Sequence, residues 1–164
     1  MPATYEPIAT TTLGSATSSI TFSSIPSTYT DLVLITSAIL ASGGAANLLG
    51  QFNGDTATNY STTYLAGNGT AASSNRDTSN SVGWLGRLSS SNWTSSITNI
   101  MNYANTTTYK TSVSRGNDTS GLVIAYVSLW RATPAAINSI VLTNTSAVNF
   151  SIGSQFTLYG IKAA

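Results

Sequence analysis

Short segments rich in Val, Ile, Thr, Tyr and Phe recur along the whole chain, and Gly, Asn, Ser or Pro interrupts them every few residues. β-Branched and aromatic side chains fit a pleated, half-buried surface, and the interrupting residues supply turns, so the pattern predicts many short antiparallel strands. No apolar stripe of helical spacing has useful length; 59–65 and 134–137 have room for one helical turn each. Strands are expected at 20–25, 32–40, 47–52, 82–88, 96–103, 109–114, 122–130, 137–143 and 156–161, about ten with the N-terminal segment. A single sheet would leave one apolar face in water. The expected fold is therefore all-β, a two-sheet antiparallel β-sandwich of jelly-roll-like form. Residues 1–17 read as an N-terminal extended segment or first strand, able to pair with a neighbour's edge, and 18–164 as a single sandwich domain.

Three local features refine this expectation. Asn53-Gly54-Asp55 reads as a tight turn in which Gly54 takes positive φ. The segment 122–130 is apolar at both alternating sets of positions, which predicts a central strand covered on both faces. The segment 66–81 is Gly, Asn, Ser and Thr around a single Arg76-Asp77 pair, which predicts a surface loop.

The chemistry open to this chain is narrow. Its 164 residues include no His, no Cys, six Lys or Arg and five Asp or Glu. Proton shuttles, thiol nucleophiles and transition-metal sites are built largely from the missing types, so no catalytic residue, cofactor or metal ligand is assigned and a structural or binding role is expected. Asp55, Asp77 and Asp118 each sit in a Gly- or Asn-rich context and read as turn formers rather than a paired-carboxylate site. A net charge of +1 provides no basic stripe, which argues against nucleic-acid binding. No apolar run approaches the ~20 residues of a membrane-spanning helix. The opening Met1-Pro2-Ala3-Thr4-Tyr5-Glu6 lacks a basic, then apolar, leader pattern, so synthesis in a cytoplasm is expected.

Surface contacts are the remaining source of function. Ser and Thr on strands hydrate adequately yet carry little charge to desolvate, which suits subunit interfaces. Trp84, Trp93 and Trp130, with Tyr60, Tyr64, Tyr103 and Tyr109, read mainly as packing residues, the alternative being a sugar-stacking platform. Trp93 lies in the polar run 89–96 and is expected to be exposed; together with Arg76 and Asp77 it is assigned as a possible surface contact.

Several runs carry a family resemblance: 20–34 (ITFSSIPSTYTDLVL), Phe52-Asn53-Gly54-Asp55, Asn59-Tyr60-Ser61, 64–69 (YLAGNG), Asn102-Tyr103-Ala104-Asn105, 129–133 (LWRAT), 137–142 (INSIVL) and 153–162 (GSQFTLYGIK). Through them the chain resembles, over 20–162, the small β-sandwich virion structural proteins of tailed bacteriophages of aquatic bacteria, including cyanobacteria. The resemblance implies a structural component of a phage particle, made in the host bacterial cytoplasm and located in the virion. Its implied partners are the major capsid protein or other virion subunits, and further copies of itself as a homotrimer. The chain has no heptads or collagen-like repeats of a fibre shaft, which favours a capsid decoration (cement) protein over a tail fibre or receptor-binding module that recognises host surface glycans.

Overall fold

The computed structural model describes residues 4–118 and 121–162. Among them there is no helix, and twelve strands occur: β1 (Tyr5–Thr12), β2 (Ile20–Phe22), β3 (Asp31–Ala38), β4 (Ala46–Phe52), β5 (Tyr60–Gly67), β6 (Ala72–Asn80), β7 (Gly83–Leu88), β8 (Thr94–Met101), β9 (Lys110–Asn117), β10 (Val123–Trp130), β11 (Ile140–Asn144) and β12 (Gln155–Ile161). They form an eight-stranded sheet, β1-β12-β3-β8-β9-β10-β5-β6, and a four-stranded sheet, β2-β11-β4-β7, with every pairing antiparallel. The expected two-sheet sandwich is present.

The strand orders also account for the mismatch in sheet size. The set β1-β12-β3-β8 packed against β2-β11-β4-β7 is the pairing pattern of a jelly roll, in which the chain alternates between two four-stranded sheets. The other four strands are two hairpins, β5–β6 placed between β4 and β7, and β9–β10 placed between β8 and β11. Because β9 pairs with β8, and β10 with β5, both hairpins lengthen the same sheet. Residues 5–12 are a first strand on β12 of the same chain.

The segment 66–81 is a correction to the sequence reading: it holds the end of β5, a tight turn and all of β6. β6 is an edge strand that lies past the small sheet with only β5 beside it, so it lacks the apolar alternation of strands that face a core. Its turn is built by Asn68, whose Oδ1 accepts from the Thr70 and Ala71 amides at 3.0 and 2.8 Å, and by Gly69 at φ 85°. The one-turn helices allowed at 59–65 and 134–137 are absent; the first is strand β5 and the second irregular. Gly54 takes positive φ, 67°, as the turn at Asn53-Gly54-Asp55 requires.

The core changes character across the sandwich. Leu32, Leu34, Phe156 and Leu158 of the large sheet meet Phe22, Ile140, Leu142 and Leu48 of the small one in an apolar cluster. Toward the inserted hairpins the inner face becomes Ser and Thr, and β7, the edge of the small sheet, lies directly on it. Hydroxyls there do the work of a missing neighbouring strand. Ser128 Oγ accepts from the Trp84 amide at 3.0 Å and donates to the Trp84 carbonyl at 2.9 Å, while Thr98 Oγ1 donates to the Leu85 carbonyl. An edge that would otherwise bury unpaired backbone groups is thereby satisfied. Leu85 is also the extra residue of a β-bulge, since Leu48 pairs with Gly86 and Leu49 with Trp84.

Two buried tyrosines make this interior sensitive to alkali. Tyr60 donates to and accepts from the Phe52 backbone, and Tyr126 donates to Asn47 Oδ1 at 2.7 Å. Burial raises both above the ordinary value of 10.0, Tyr126 to about 12. The folded chain therefore keeps protons that the unfolded chain releases, so their contribution holds below about pH 10 and is lost as pH rises through the folded values. Melting temperature should fall steeply above about pH 10. Tyr126→Phe should flatten that slope in a series of thermal melts; an unchanged slope would contradict the assignment.

Candidate functional site

Antiparallel strand residues alternate between faces, so the register identifies what the outer face of the large sheet displays. One cross-sheet row runs Thr157, Ile35, Ile97, Arg115, Ala125, Leu65, and the adjacent row contains Val113 opposite Val127. Seven of the ten large hydrophobics that are exposed, namely Tyr5, Ile35, Leu65, Met101, Val113, Val123 and Val127, lie on this one face. Scattered exposed apolar side chains are ordinary, whereas a face that gathers them marks an interaction surface. An open depression of about 510 Å³ follows the row from Ile35 through Ile97 to Arg115 and is flanked by Val123.

This face corrects a second expectation. β10 is central in the sheet, but only its Ile124, Tyr126, Ser128 and Trp130 side is buried; Val123 and Val127 stand 63% and 47% exposed. The doubly apolar pattern was the available signal that this strand carries apolar side chains on both of its faces. Four of these seven belong to β5, β9 and β10, so the inserted hairpins supply most of the patch.

The residues assigned as contacts do not come together. Trp93 is 52% exposed in the β7–β8 connection, with its Cη2 edge against Gly153. Arg76 and Asp77 are consecutive on β6 and so point to opposite faces: Arg76 is exposed opposite Thr63, and Asp77 is half-buried opposite Thr62. Four strand spacings, ~19 Å, separate β6 from β8, at whose start Trp93 lies.

The other acids have structural partners. Asp118 forms an ion pair with Arg87 Nε at 2.9 Å. Asp55 Oδ1 accepts from the Ala57 amide, as the turn reading expects, and its Oδ2 accepts from Asn59 Nδ2 at 2.9 Å and Trp130 Nε1 at 2.6 Å. Burial pushes the Asp55 carboxyl up, but these hydrogen bonds outweigh it and hold the group below the usual carboxylate range. Asp55 and Asp118 lie near opposite ends of β10, a strand about 23 Å long, so they do not face a common cleft. Asp55→Ala leaves the buried Trp130 Nε1 without its acceptor and should cost about 2 kcal/mol in denaturant melts; a loss within error would remove this role. Among the described residues no group of three metal-ligating side chains occurs.

Comparison with protein-family models, with curated proteins and with solved structures found no match.

Proposed function

We propose that this chain is a virion structural subunit that works by docking, and specifically a capsid decoration protein. The observation that carries this reading is the outer face of the eight-stranded sheet, where exposed aliphatic side chains share their rows with only two guanidinium groups, Arg115 and, on the edge strand, Arg76. Eight strands ~4.8 Å apart and roughly seven residues long present ~800–900 Å², close to one partner's share of a standard interface. Covering such a face strips water from apolar groups while desolvating little charge. The partner is the assembled shell of major capsid protein, with homotrimerisation as a second use of the sheet edges. Binding restricted to the assembled shell stabilises it by mass action. Gel densitometry of purified virions should find hundreds of copies per particle; a handful of copies would defeat the decoration role.

A second reading, a receptor-binding or tail-fibre module, is favoured by the exposure of Trp93. It requires that Trp93→Ala abolish host adsorption while heads remain stable.

A further inference from the structure

The jelly roll proper closes with β7 at the edge of the small sheet, but the large sheet continues past it to β5 and β6. The inner face of this overhang is left uncovered and forms a groove. Tyr64 and Ile124 of the large sheet and Trp84, Arg87 and Asn47 of the small one line a cavity of about 270 Å³. A second cavity of about 250 Å³ continues it to the β5–β6 turn, the two sharing Ala66, Ser73 and Leu122.

The groove's chemistry is specific. Tyr64 and Trp84 stack with centroids 5.7 Å apart at 25°, and Tyr126 braces both. Arg87 donates from Nε to Asp118 and from Nη1 to Asn47 Oδ1, which also accepts from Tyr126. The guanidinium and the amide are thus fixed in place, and the guanidinium's charge is balanced by Asp118. The Tyr64 hydroxyl, Trp84 Nε1 and the Asn47 Nδ2 group make no hydrogen bond to the protein among the described residues. These handles, with the remaining Arg87 N–H groups, border an aromatic surface. A rigid, donor-rich and charge-compensated groove suits an amphipathic, acceptor-rich, uncharged ligand; a phosphate or carboxylate ligand would need a cation not already neutralised.

We infer that the groove under the β5–β6 overhang binds a neutral oligosaccharide. This site is separate from the outer face and does not depend on the docking reading. Its position also differs from Trp93, which lies in the β7–β8 connection.

The test uses the full chain carrying Trp93→Phe on an array of neutral and acidic oligosaccharides, followed by titration of each bound neutral glycan against tryptophan emission. Saturable binding of a neutral glycan is expected, weakened at least tenfold by Tyr64→Ala. Ser73→Arg fills the groove from an exposed edge-strand position without touching the core and should weaken binding at least as much, with an unchanged melting temperature. Absence of any bound neutral glycan, preference for acidic ones, or binding that survives Ser73→Arg would each overturn the inference. Attachment of the Ser73→Arg chain to capsids is measured in parallel, so failure of the groove and failure of the docking reading give different results.

Discussion

Gly86→Val should lower the melting temperature by about 10 °C or more. A Cβ at position 86 would lie 2.3 Å from Ser96 Oγ and 3.0 Å from Ser96 Cβ, because β7 rests on the hydroxyl-lined part of the large sheet with almost no side-chain layer between. Overpacking of this kind costs about 1–3 kcal/mol. Forcing β7 outward also stretches the bonds from Thr98 and Ser128 to its backbone, at about 1 kcal/mol each. A total of ~4–6 kcal/mol is a large share of the ~5–15 kcal/mol that holds a domain folded, and at ~2–4 °C per kcal/mol for this size corresponds to roughly 10–20 °C. The double variant Gly86→Val/Ser96→Gly should recover part of the loss, because Ser96 Oγ is the nearest obstruction and is buried with no hydrogen-bond partner. Double-mutant thermal melts measure that coupling. Simple additivity of the two changes would contradict the close-approach explanation.

Val113→Lys/Val127→Glu should weaken attachment to assembled capsids at least 100-fold while leaving the fold intact. The two positions are directly opposite on β9 and β10, so the new charges form a cross-strand pair that the exposed sheet tolerates. Beneath a covering partner, the same pair must be desolvated, and the apolar contacts of two central valines are lost. A hundredfold loss is about 2.7 kcal/mol, modest for two positions at the centre of an interface. Cosedimentation of the purified chain with capsid shells reads the effect, and the melting temperature of the free chain verifies the fold. Attachment at the wild-type level would remove this face from the account.

How much of this was legible beforehand depended on which surface each residue meets. Strands that face the other sheet announced themselves: Ile20 and Phe22 of β2, and Leu32 and Leu34 of β3, are apolar because they fill the shared core. β6 stayed hidden because it lies past the small sheet with only β5 beside it, and Ser73, Ser74 and Asn75 carry no strand signal of their own. The double apolarity of β10 was visible, but a sequence does not distinguish a strand covered on both faces from one whose second apolar face stands exposed. Ser96, Ser112 and Ser114 carry no apolar signal of a core position, yet they are buried beneath β7, where small size lets two sheets approach. The Tyr64–Trp84 pair stayed hidden because the two residues lie on different sheets and meet only after the inserted hairpin folds back. Arg76 and Asp77 looked like one contact site only while 66–81 was treated as a loop; strand alternation separates them.

We propose, above all, that the extended sheet, rather than a reactive centre, is the working part of the molecule. Electron cryomicroscopy of the intact particle tests it directly. The account predicts many copies on the head, each with the Val113 and Val127 face turned against a shell subunit. Density that places this face open to solvent, or a particle without the chain, would contradict it.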